Sequence, residues 1–143
     1  MTRQRWNDEG SVTVELAVLA LPVLAVLLLM IVGGRIRHAG QTVDHAATTA
    51  ARAASIARSA ADAHASASST ANRVLGEQGL HCQNTTITVD ATGFAARVGT
   101  TASVRVDVRC SVALSDLALP GLPGTRELSS TFTSPLDPFR ARR

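Results

Sequence analysis

The sequence predicts an α+β protein: one N-terminal transmembrane helix, an Ala-rich helical region, then a small three-stranded antiparallel sheet. Three observations carry this. Val12 to Val32 is almost pure hydrocarbon, broken by Thr13 and Glu15. The next forty-odd residues are dominated by Ala, the strongest helix former. From Thr85 onward the apolar residues recur every second position. The 143 residues allow one modest domain plus an anchor. The expected segments are a cytoplasmic leader 1–10, a membrane helix 11–34, an Ala-rich helical region 35–79 and a β domain 80–143.

The apolar block spans about 31 Å as a helix at 1.5 Å per residue, close to the thickness of a bilayer's hydrocarbon core. A soluble core helix keeps a polar stripe, and this one is apolar all round after Leu16. Pro22 is tolerated in a membrane helix, where a kink is expected. The block exceeds the apolar stretch of a secretory signal, and "GGRIRHAG" follows it instead of an A-x-A cleavage site.

Arg3 and Arg5 precede the span, while Arg35 and Arg37 follow it, so the distribution of basic residues does not orient it. The cysteines do. Cys82 and Cys110 are the only two, in a region with few large apolar residues. Such a pair reads as a disulfide, which requires an oxidising compartment; the alternative is two buried free thiols. The disulfide reading puts the N-terminus in the cytoplasm and the C-terminal domain outside.

Val43, Ala47, Ala50, Ala54, Ala57 and Ala61 fall on one helical face. Arg58 and Asp62 are spaced as an i,i+4 pair. Breaks are expected at Gly33-Gly34 or Gly40, with loosening around Ser66 to Ser69 and an end at Gly76 or Gly79. In "TTITVDA", Ile87 and Val89 alternate with Thr. In "TASVRVDVRCSVAL", Ala102, Val104, Val106, Val108, Cys110 and Val112 share one face. "TRELSSTFTS" gives the third strand through Leu128, Ser130 and Phe132. If Ile87 faces Val106 and Val89 faces Val104, Cys82 misses Cys110 by one position. Either a bulge or a Cys82 lying before the strand resolves this, and we expect the latter. "LSDLALPGLPG" is read as a loop.

Composition narrows the function. All fourteen basic residues are Arg, as GC-rich coding produces, and they are scattered along the chain. With three Phe, one Trp and no Tyr, base-stacking platforms for nucleic acid are lacking. His38, His45, His64 and His81 lack metal-ligand spacing, and no nucleophile motif is present. We therefore expect no metal, no cofactor, no small-molecule substrate and no enzyme activity. The Arg140, Arg142 and Arg143 tail reads as a solvated end, with anionic envelope polymers as the alternative contact.

Glu15 is the informative residue. An acid within a membrane span marks function by default; the alternatives are snorkelling to the interface or capping the positive end of the helix. Its neighbours add to this. In "EGSVTVE", Gly10 precedes Ser11, and Glu15 is the fifth residue counted from Ser11. An Arg-bearing leader, "MTRQRWNDEG", stands before them. This resembles the processing site of type IV prepilins and pseudopilins. The resemblance implies cleavage between Gly10 and Ser11 by a prepilin peptidase. The new Ser11 amine would then pair with the Glu15 carboxylate of a neighbouring subunit.

More specifically, "EGSVTVELAVLALP" followed by "HAATTAARAAS" resembles the TadE-like minor pseudopilins of the tight-adherence pilus, which share this opening with TadG proteins. The ending "SSTFTSPLDPFR" resembles actinobacterial members. Glu9 stands where a basic residue is usual, and Leu16 where Phe is common. The resemblance implies a pilus or secretion assembly component. Its expected partners are the membrane, pilin or pseudopilin subunits and a prepilin peptidase. It would sit in the cytoplasmic membrane with release into a pilus as a further step. The rival reading is a membrane-anchored extracytoplasmic binding module.

Overall fold

The computed structural model describes residues 9–117 and 121–139, with side chains described from Val14 onward. The chain divides into two compact units, Met1–Gly34 and Arg35–Arg143. The elements in order are α1 (Glu9–Ser55), α2 (Ala60–Glu77), β1 (Cys82–Asp90), a 3-10 turn (Thr92–Ala95), β2 (Ala102–Ala113), a short α3 (Leu114–Leu117) and β3 (Thr125–Leu136). The α+β class read from the sequence holds: a long apolar helix, a second helix and a three-stranded antiparallel sheet ordered β1-β2-β3.

In the first unit, α1 carries an 18-residue window of mean hydropathy 3.0 with none of it buried in the protein. By length and composition it is a candidate membrane span. Pro22 lies inside it, and the helix continues past it. Pro lacks the N–H that would bond the Val18 carbonyl, a loss that a membrane helix can accommodate. The expected breaks at Gly33-Gly34 and Gly40 are absent, since α1 is continuous to Ser55. Each Gly in a helix costs only about 1 kcal/mol relative to Ala, a loss spread over a helix of 47 residues.

The break falls at Ile56–Ser59 instead, and local hydrogen bonding accounts for it. Ser59 has extended backbone angles and caps α2: its Oγ accepts from the Asp62 N–H at 3.1 Å and donates to Asp62 Oδ2 at 2.8 Å. This is a serine N-cap whose hydroxyl is held in place by the Asp62 carboxylate. It replaces the anticipated Arg58–Asp62 pair, because Arg58 lies ahead of the helix. Serines 66 to 69 remain helical, so the loosening expected there does not occur. The C-terminus of α2 is a Schellman motif. The Leu80 N–H bonds the Leu75 carbonyl and the Gly79 N–H bonds that of Gly76, with Gly79 at φ +68°. Gly is the residue that takes this left-handed conformation without steric cost.

The core of the second unit joins helices to sheet. Val43, Ala47, Ala50 and Ala54 are buried as the helical spacing requires, together with Ala39, Ala46 and Ala51. Ala57 is only partly buried and Ala61 is exposed, because the helix ends between Ala54 and Ala61. From α2 come Ala63, Ala67, Ala71, Val74 and Leu75. From β2 come Val104, Val106, Val108, Cys110 and Val112, all within 1% of complete burial. Each Val contributes roughly 1.5–3 kcal/mol. Alanines contribute less area but let backbones approach closely.

The strands pair as read, with a different register. Ile87 lies opposite Val108 and Val89 opposite Val106, two positions from the expected alignment. The β1–β2 connection contains a 3-10 turn and is too long for a tight hairpin to fix the pairing. Cys82 belongs to β1, contrary to the expectation that it precedes the strand. The register shifts between Cys82 and Asn84, so Cys82 faces Val112 while Cys110 faces Thr85. This bulge brings the sulfurs together in a Cys82–Cys110 disulfide with Cα atoms 5.4 Å apart. The link read as a loop begins as α3, whose Leu117 is buried. In the β1–β2 connection, a Cβ on Gly93 would run into the Ser103 carbonyl oxygen, so this close approach requires Gly.

Candidate functional site

The candidate site is the start of α1. Residues 1–8, with Arg3 and Arg5 of the expected leader, lie outside the described residues. Gly10 and Ser11 lie in the first turn of α1, which begins at Glu9. The first four N–H groups of a helix have no intrahelical acceptor, so unwinding one turn there breaks few bonds. A peptidase needs an extended substrate, and Gly10 imposes no side-chain barrier to that conformation.

Glu15 follows Ser11 by four residues, a rise of about 6 Å on the same helical face. Its side chain is exposed, as are those of Val14 and of Leu16 through Ile31. Among the described residues none forms an ion pair with this carboxylate. Whatever surrounds the helix, lipid or other helices, meets it directly.

The titratable chemistry of the second unit is structural. On the outer face of the sheet, Thr131 Oγ1 donates to Asp107 Oδ2 at 2.6 Å, and Arg109 Nε donates to Asp107 Oδ1 at 2.8 Å. Arg109 Nη1 also lies 3.7 Å from Glu127 Oε1. The Thr131 hydroxyl first, then Arg109, hold the Asp107 carboxyl below its ordinary value, and Asp107 in turn raises that of Arg109. Asp107 therefore adds stability above the ordinary carboxylate range, which is lost as pH falls through its lowered pKa. Being exposed, the network contributes little.

Asp90 is likewise lowered, mainly by its hydrogen bonds from the Thr92 hydroxyl and N–H. It closes the turn leading into the 3-10 helix and lines a shallow cleft of about 360 Å³ with Gly93, Ser103 and Arg105. Among the described residues no group of three His, Cys, Asp or Glu is placed to hold a metal, and all four histidines are exposed. Sequence reasoning missed the Asp107–Arg109–Thr131 network because Thr131 comes from β3, a partner fixed only by register. The Ser59–Asp62 cap was legible as S-x-x-D.

Residues 10–52 match the family model described as TadE-like protein. The likeness is confined to Gly10–Arg52, less than a third of the chain. The TadE-like segment begins at the glycine of the expected processing site and ends within the last turn of α1. It thus coincides with one structural element, and α2 and the sheet lie beyond it. No curated protein and no solved structure matches the chain.

Proposed function

We propose that this protein is a pseudopilin-like assembly subunit of a tight-adherence pilus or a related secretion apparatus. A prepilin peptidase cuts between Gly10 and Ser11 on the cytoplasmic side. The second unit lies outside the cytoplasm, where Cys82 and Cys110 oxidise. The single observation that carries this reading is the coincidence of the TadE-like match with α1, from Gly10 through Glu15, the one acid between Val12 and Val32.

The mechanism is assembly. Cleavage leaves the apolar helix in the bilayer and creates an amine at Ser11. Glu15 of an adjacent subunit pairs with that amine, so each ion offsets the other's desolvation. The pairing sets the axial register between neighbouring helices, and the apolar sides of α1 supply the lateral contact. The rival binding-module reading draws support from the second unit, which has its own core and lies mostly beyond the TadE-like match.

Glu15→Gln separates the two. The assembly reading expects normal insertion and normal abundance of the variant in the membrane, with loss of pilus assembly when it is the only copy of this subunit. Pili assembled at wild-type levels with the variant would rule out the pairing.

A further inference from the structure

Between Glu15 and Asp44 the chain carries no charge except on Arg35 and Arg37, with His38 neutral. The two arginines stand just past the apolar block, which ends at Val32. Both are exposed, and among the described residues neither forms an ion pair. Met30 and Ile31, about one turn before them, are exposed as well. Whatever surrounds those apolar side chains reaches the arginines too.

Ile36, between them, is half-buried against the core of the second unit. At about 100° per residue, Arg35 and Arg37 project to either side of that contact, clear of the core. A helical side chain leans toward the N-terminus and covers the turn before its own Cα. Arg35 therefore leans over Ile31 and Val32, and Arg37 over Gly33 and Gly34. Those two glycines do not break the helix. They leave room instead, since a Cβ on either would meet nothing within 4 Å. Both guanidinium groups are thus directed at the edge of the apolar block, and Arg37 faces bare backbone.

We infer that Arg35 and Arg37 bind the phosphate groups of membrane phospholipids at the face where α1 leaves the bilayer. The inference rests on the reading of α1 as a membrane span. The planar fork of a guanidinium matches two phosphate oxygens at once. The depth also matches. Arg35 lies three residues past Val32, about 4.5 Å along the helix, and the headgroup layer extends roughly 5–7 Å beyond the hydrocarbon on each side. Moving the helix inward would drag two unpaired charges into hydrocarbon. Moving it outward would put Met30 and Ile31 in water. An acidic protein would meet the arginines only in an assembly, whereas lipid phosphate surrounds every copy in the bilayer. The contact has a consequence at the other end of the span. Glu15 lies twenty residues before Arg35, about 30 Å along the helix, which is the thickness of the hydrocarbon core. Holding Arg35 at one face holds Glu15 at the opposite one.

The test reconstitutes the full chain, isotopically labelled at its guanidinium carbons, in vesicles of phosphatidylglycerol and phosphatidylcholine. The buffer is free of phosphate, so the lipid carries all the phosphorus. Carbon–phosphorus dipolar dephasing in solid-state NMR then reports which guanidinium carbons lie beside phosphate. The signals of Arg35 and Arg37 are those missing from the spectrum of the variant Arg35→Gln with Arg37→Gln. Both positions are exposed, so this variant keeps the core. Arg52→Gln with Arg73→Gln, exposed elsewhere on the second unit, identifies two control signals in the same way. The expected result is dephasing of the Arg35 and Arg37 signals and none of the Arg52 and Arg73 signals. No dephasing at Arg35 and Arg37, or equal dephasing at the controls, would overturn the inference. An alkaline wash of the same vesicles keeps the two claims apart. A chain that resists the wash without dephasing defeats this inference alone. A chain that washes off defeats the membrane reading, and this inference with it.

Discussion

Removing the disulfide, by Cys82→Ala with Cys110→Ala, is expected to destabilise the second unit by about 3.5 kcal/mol. That figure is the chain-entropy value for a loop closed by cysteines 28 apart in sequence. Native stabilities are only about 5–15 kcal/mol, and this core is built largely from Ala and Val, so the loss is a large share of the total. Cys110 is fully buried, and Ala there avoids burying a new hydroxyl. The bridge also fixes the one irregular point of the β1–β2 ladder, the bulge between Cys82 and Asn84. Without it, β1 is free to slip, and a one-residue slip turns Ile87 and Val89 outward. Thermal unfolding of the full chain in micelles should show the transition of this unit falling by more than about 10 °C. Oxidised wild-type and double variant melting within about 2 °C of each other would refute the role given to the bridge.

Enlarging the alanine seam is the second large effect. Ala50 and Ala47 have no exposed surface and lie where α1 meets the core. Ala50→Leu adds three carbons where no space exists. Overpacking of this kind costs about 1–3 kcal/mol, and more where rigid elements must separate. On the outward face of the same helix, His45→Leu places the same apolar side chain at an exposed position and should shift stability by no more than about 0.5 kcal/mol. Comparable melting temperatures for the two variants would show that the seam is not close-packed.

Much of the fold was legible because its signals are periodic. The apolar block, the helical spacing from Val43 to Ala54 and the alternation from Ala102 to Val112 each survive in the structure. What sequence reasoning misjudged depended on competition between local and distant forces. Gly33, Gly34 and Gly40 read as breaks, yet the helix continues through them. Ser59 was a stronger signal, because its hydroxyl oxygen accepts from the Asp62 N–H in the first turn of α2. The strand register was missed by two positions because the pattern of alternation is unchanged by a shift of two. Only the bulge, invisible in the pattern, reconciles the register with the disulfide. Gly10, Ser11 and Glu15 are legible as a spacing, whereas the hydrogen bond between Asp107 and Thr131 is not, because its partners lie 24 residues apart and meet only through the strand register.

The central claim is that α1 is an assembly helix released from a leader, and the mature N-terminus tests it most directly. The full chain should be produced with and without a prepilin peptidase and its intact mass and first residues read. The account predicts a chain beginning at Ser11 when the peptidase is present and retention of residues 1–10 when it is absent. A chain that keeps its first ten residues alongside an active peptidase would contradict it.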